Sequence, residues 1–93
     1  MDITEKRKEI DEIDTYLVKL FLRRMQISGE IGEYKKENAI RVYDEKRENE
    51  IFERVKAMAP EKMQEYITLL YETVLGLSNA YQLEILNAED ESD

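Results

Sequence analysis

Neither cysteine nor histidine occurs among these 93 residues. The two absences exclude disulfides, thiolate nucleophiles, imidazole acid–base steps and the usual zinc ligands, so a metal could bind only through carboxylates. No metal site and no cofactor is expected. No apolar run approaches the ~20 residues that span a bilayer, and Met1 leads straight into charged sequence without a signal-peptide core. The chain therefore reads as cytoplasmic, with no membrane partner. Proline occurs once and glycine three times. With abundant Glu, Lys, Leu and Ile, no internal repeat and no strand-like alternation, that composition favours helix throughout. Basic residues are outnumbered, 14 against 22 acidic ones for a net charge of -8, which argues against a nucleic-acid partner. An anionic ligand would need positive charge concentrated locally.

The length suits one domain and excludes a second catalytic one. That domain is expected over 1–88, followed by an acidic run at 89–93 that reads as a disordered tail. Asp2, with Glu5 three residues on, resembles a capping box that opens a first helix. Ile3, Ile10, Ile13, Leu17, Leu20, Phe21, Ile27 and Ile31 continue it at helical spacing to about Tyr34. Such a helix is about 50 Å long, longer than a small domain is wide, so its stripe cannot be covered by this chain alone. Gly29 and Gly32 lie inside it, each costing up to ~1 kcal/mol relative to alanine, which close packing against a neighbouring helix explains.

Lys36 to Val42 loses the period and reads as a loop. A second helix is expected from about Tyr43 or Asp44 to a point before Pro60, with Ile51, Val55 and Met58 on one face and Phe52 at its edge. Pro60 suits the first turn of a third helix, whose one side carries Ile67, Leu70, Tyr71, Val74, Leu77, Tyr81 and Ile85.

Polar residues interrupt each of these faces. Arg24 and Lys35 return to within roughly 20° of the same heading, about three turns or 16 Å apart along the axis, on the side that also carries Ile10, Ile13, Leu17, Leu20 and Ile31. Asp44 and Glu48 lie near the centre of the second helix's face with Arg47 on its flank, and Ser78 and Gln82 sit one turn apart on the third. Burying one such charge unpaired would cost on the order of several kcal/mol, so the pattern needs an explanation. One is internal pairing, Arg24 or Lys35 with Asp44 or Glu48, as salt bridges that fix helix register. The other is a polar pocket lined from facing helices, which is where bundles build sites. Arginine offers a fork for carboxylate, lysine a point charge, glutamine a neutral amide, and a carboxylate accepts a hydroxyl proton. A small polyanion bearing a hydroxyl would satisfy that set. Arg7, about 80 to 100° from Arg24 and Lys35, falls at the stripe's edge and reads from periodicity as a solvated arginine.

The series Arg7, Arg24, Lys35, Asp44, Arg47, Glu48, Ser78 and Gln82 resembles the active-site pattern of the all-helical chorismate mutases, as do the blocks RKEIDEID, RRMQISGEIGEYK and DEKRE. The resemblance spans nearly the whole chain. It implies an all-α fold of three helices per subunit, the first very long, interlocked into a homodimer with two shared sites. It also implies an isomerase of aromatic amino acid biosynthesis, on the shikimate pathway, that converts chorismate to prephenate without cofactor or metal. Arg24 and Arg7 of the partner subunit would hold the substrate carboxylates, and Lys35 and Gln82 would face the ether oxygen. Glu48 and the Asp44 region would meet the ring hydroxyl, with Arg47 and Ser78 completing the pocket. One departure is visible: family members often carry proline before the valine that enters the second helix, and here Arg41 precedes Val42.

Two other readings remain. An isochorismate-pyruvate lyase has a similar pocket, though the Asp44 and Glu48 pair matches the mutase pattern. A non-catalytic helical dimerisation module would leave Arg24, Lys35 and Gln82 with no role beyond stability.

Overall fold

The first helix starts where the sequence places its cap. In the computed structural model, which describes residues 1–88, Asp2 is extended and its carboxylate accepts the Thr4 N–H at 2.9 Å, opening α1, Ile3–Glu37. This is half of a capping box, because Glu5 pairs with Lys8 at 3.3 Å rather than turning back to the cap. α1 runs through Lys36 and Glu37, past the point where its apolar period fades. Lys36 has a structural use there: its ammonium donates at 2.9 Å to the Ala88 carbonyl just beyond the third helix.

α1 ends in a Schellman turn, with the Ile40 N–H donating to the Lys35 carbonyl at 2.8 Å and the Ala39 N–H to that of Lys36 at 3.4 Å. The turn requires a left-handed residue, and Ala39 holds it at φ 53° where glycine is usual. Ala39→Gly is therefore expected to stabilise the protein by about 1 kcal/mol, read as a higher urea midpoint at fixed protein concentration.

α2, Glu45–Ala57, is capped by Asp44, whose carboxylate accepts the Arg47 N–H at 3.0 Å. Pro60 does not enter the next helix. It precedes a 3-10 turn, Glu61–Met63, and α3 follows as Gln64–Asn87. The Gln64 amide ties the corner by donating to the carbonyls of Lys56 at 3.1 Å and Ala59 at 3.2 Å. The described residues contain three α-helices and no strand, as the composition implies.

Both α1 and α2 pack on α3, and they do not pack on each other. The buried apolar core is small: Val42, Ile51, Val55 and Leu75, with Phe52, Ile67 and Tyr71 packed around the last three. Met58 is not part of it, being 75% exposed, because α2 ends at Ala57 and Met58 belongs to the turn. On α3 the fully buried line is Leu75, Ser78 and Gln82, while Leu70, Leu77 and Tyr81 of the expected face stay exposed. The glycines of α1 do allow a close approach. A Cβ on Gly32 would lie 3.3 Å from the Gln82 Cα, and one on Gly29 2.9 Å from the Tyr81 ring.

Much apolar surface is left bare. Ile10, Ile13, Leu17 and Leu20 are each more than half exposed, and every residue from 3 to 20 is exposed. The radius of gyration, 17.0 Å, exceeds the roughly 12 Å expected of a compact chain this long. With extents of 61 × 29 × 14 Å, the chain is little thicker than one helix. The acidic run at 89–93 lies outside the described residues.

Candidate active site

Because α1 and α2 both lean on α3 without touching, a gap remains between them. It is a cavity of about 300 Å³, at the small end of ligand-binding pockets. Its α1 wall is Arg24, Ile27, Ser28, Ile31 and Lys35, a single helical face at spacings of three and four. The α2 side contributes Val42, Asp44, Arg47, Glu48, Ile51 and Arg54, and α3 supplies Leu75, Ser78, Asn79 and Gln82. Seven of the eight residues singled out in the sequence thus meet around one cavity. Arg7 does not. It lies on the bare half of α1, about 26 Å along the axis from Arg24, beyond the reach of its own cavity.

The charges are placed differently from the buried pattern that periodicity suggests. Arg24, Lys35 and Glu48 are half-buried, while Asp44 and Arg47 are exposed at the rim. One Asp44 oxygen is occupied by the helix cap, and Arg47 leans toward Glu50 at 3.7 Å on the outer surface. Internal ion pairs of Arg24 or Lys35 with Asp44 or Glu48 are not formed. The salt bridges among the described residues are Lys6–Glu9, Lys8–Glu5 and Arg47–Glu50, all one turn apart on exposed surface and of small energetic consequence. Four cations therefore face two carboxylates around the cavity, a local positive excess in a chain of net charge -8. This is the concentration of positive charge that an anionic ligand requires.

Three side chains set the remaining polarity. The Lys35 ammonium donates to the Val42 carbonyl at 2.7 Å, which fixes it against the loop and leaves two of its three N–H donors for the cavity. Glu48 accepts from the Asn79 amide at 2.7 Å and keeps further lone pairs for a ligand hydroxyl. Gln82, 5% exposed, donates through Nε2 to the Ser28 hydroxyl at 2.9 Å, and its Oε1 is buried without any partner. A buried unsatisfied amide oxygen costs about 1–3 kcal/mol and is a sign of a site completed by something else.

Sequence reading did not single out Ser28, Asn79 or Arg54. Ser28 had a signal, since it lies one turn from Arg24 and two turns from Lys35 on their shared face. Arg54 is likewise two turns from Arg47. Asn79 had none, because it sits about 100° off the buried line of α3 and reaches the cavity only because α2 lies on that side. Among the described residues no group of three or more acidic side chains is placed to hold a metal ion, and no helix is long and apolar enough to cross a membrane.

A chorismate mutase of Methanocaldococcus jannaschii is 34% identical over 59 residues, covering 63% of this chain and 60% of that protein. A bifunctional chorismate mutase/prephenate dehydratase of Aquifex aeolicus is 37% identical over 54 residues, 58% of this chain and 15% of that protein. The matched stretch is thus less than two thirds of either relative's length. No solved structure matches the chain. Residues 6–83, from the bare half of α1 to the Gln82 turn of α3, match the family described as chorismate mutase type II, and the chain belongs to that family.

Proposed function

We propose that this chain is a chorismate mutase, an isomerase that rearranges chorismate to prephenate in a cavity shared between two copies of the chain. The observation that carries the reading is the cavity itself. Cations at both ends of one α1 face, an amide on α3 and a carboxylate on α2 converge on about 300 Å³. That set suits a dianion with an ether oxygen and a ring hydroxyl.

The reaction is unimolecular: one C–C bond forms as the ether C–O bond breaks, with no nucleophile and no proton transfer. The protein's task is to hold the flexible dianion in its reactive chair and to stabilise charge as it builds on the ether oxygen. Arg24 and the partner's Arg7 hold the two carboxylates. Lys35 and Gln82 face the ether oxygen, Glu48 and the Asp44 end of α2 meet the ring hydroxyl, and Arg47 and Ser78 close the pocket. Arg47 is available for this because its present contact with Glu50 is a long surface pair.

A second copy is also what the bare surface calls for. An 18-residue helix standing alone is marginal in water, yet residues 3–20 project with no cover and an apolar stripe. The α3 residues Leu70 and Leu77, each about half exposed, are of matching chemistry. A homodimer that interleaves these faces buries both and brings Arg7 to the neighbouring cavity. The setting consistent with this activity is the cytoplasm, on the route to aromatic amino acids. The test is direct: purified protein is given chorismate and the loss of its ultraviolet absorbance is followed, with isochorismate as a parallel substrate. Prephenate from the first and no pyruvate from the second is the expected result, and the reverse pattern replaces mutase with lyase.

A further inference from the structure

The three buried polar side chains among the described residues are neighbours: Ser28 at 3%, Gln82 at 5% and Ser78 at 7% exposure. They form one cluster across the α1–α3 contact. The Ser28 and Ser78 hydroxyls bond each other, and Ser28 also donates weakly to the Ser78 carbonyl at 3.4 Å. Gln82, one of the residues lining the cavity, donates to Ser28 at 2.9 Å, which leaves its amide oxygen buried without a partner.

This arrangement has its amide oriented the wrong way for the reaction. The ether oxygen of the substrate is an acceptor, so Gln82 must present N–H to it, not a carbonyl. Turning the carboxamide by half a rotation exchanges its two ends. Ser28 can follow, because a hydroxyl donates as readily as it accepts. It then gives up the long bond to the Ser78 carbonyl and donates to Oε1. The result is a chain in one direction, Ser78 hydroxyl to Ser28 hydroxyl to Gln82 Oε1, with Nε2 left to face the cavity. No atom of the cluster is then orphaned once substrate is bound. Hydrogen bonds in such a chain polarise one another, which makes the terminal N–H a better donor.

We infer that Ser28 is a positioning residue: its hydroxyl, supported by Ser78, sets the Gln82 carboxamide with Nε2 toward the ether oxygen of the substrate. The inference rests on the mutase reading above. A neutral side chain makes this contact, so its orientation has to be imposed by neighbours, and Ser28 is the neighbour that touches it.

The test is a double-mutant cycle on kcat with chorismate, using Ser28→Ala, Gln82→Ala and the double variant. Ser28→Ala is expected to lower kcat about three- to tenfold with KM changed less than twofold, the scale of one hydrogen bond made in the transition state. In the Gln82→Ala background the same change should alter kcat less than twofold, since the group it positions is gone. Ser28→Cys, which keeps the volume with a poor hydrogen-bonding group, should behave as Ser28→Ala, so a packing defect is separated from a lost hydroxyl. Equal losses of kcat in both backgrounds, or no loss in either, overturn the role of Ser28 while leaving the mutase reading in place. A wild-type protein inert toward chorismate overturns both.

Discussion

Lys35→Ala is expected to lower turnover of chorismate by about a hundredfold or more, the usual consequence of deleting one donor aimed at an oxygen where charge develops. The geometry explains why no neighbour substitutes. Lys35 is anchored by its bond to the Val42 carbonyl at 2.7 Å, so the ammonium is held in the cavity wall rather than swinging from the end of a flexible stem. The other cations come from different directions. Arg24 lies three turns away at the far end of the α1 wall, and Arg47 sits at the rim against Glu50. KM should move less than kcat, because in the proposed site the carboxylates are held elsewhere and the ether oxygen carries little charge before the transition state. The variant also loses the Val42 contact, worth about 1 kcal/mol of stability, so thermal unfolding followed by circular dichroism belongs beside the kinetics. A melting point within a few degrees of wild type, together with a hundredfold lower kcat, assigns the loss to chemistry. Wild-type turnover removes Lys35 from the mechanism and with it the main support for the proposed activity.

How far the sequence could be read depended on which kind of geometry each residue obeys. Helix periodicity is fixed by the backbone, so spacing alone puts Arg24 and Lys35 on one face, and they do share the α1 wall of the cavity. The close approach at Gly29 and Gly32 was legible for the same reason. α3 was harder. It carries two apolar lines, and periodicity does not say which one meets its own chain. Leu70 and Leu77 stay exposed, while Leu75, one position from Val74 of the expected face, is in the core. Met58 was misplaced because a hydrophobic residue at the end of a pattern looks the same whether the helix continues or turns. Asp44 illustrates a further ambiguity, since an aspartate at a helix start can serve as cap and as site residue, and its cap bond is present. The Ser28–Ser78–Gln82 cluster was half visible. Ser78 and Gln82 stood out as polar groups on an apolar face, whereas a single serine on α1 gave no comparable contrast, and the contact joining them spans fifty residues of sequence.

Arg7→Ala is expected to lower kcat/KM by about a hundredfold, although Arg7 lies far from the cavity of its own chain, because it removes one half of a charge-assisted carboxylate clamp. Nothing in the protomer alone accounts for such a loss. Arg7 is exposed on the unpacked half of α1, outside the lining of the cavity and with no ion pair to any of the described residues. Mixing makes the expectation decisive. In a symmetric dimer with shared sites, each cavity takes Lys35 from one copy and Arg7 from the other. A heterodimer of the Arg7→Ala and Lys35→Ala variants has one cavity with both substitutions and one with neither. After free exchange of equal amounts, half the dimers are mixed, so activity should recover to about a quarter of wild type from two nearly inactive preparations. If Arg7 acted within its own chain, or only through stability, every cavity in the mixture would keep one defect and no recovery would follow. Exchange itself can be verified by native mass spectrometry, and exchange without recovery rejects the shared site. Recovery would give the bare half of α1 its physical reason. An amphipathic helix that projects from a thin chain, at a cost in exposed apolar surface, would then be the device that carries a guanidinium from one copy to the dianion held in the other.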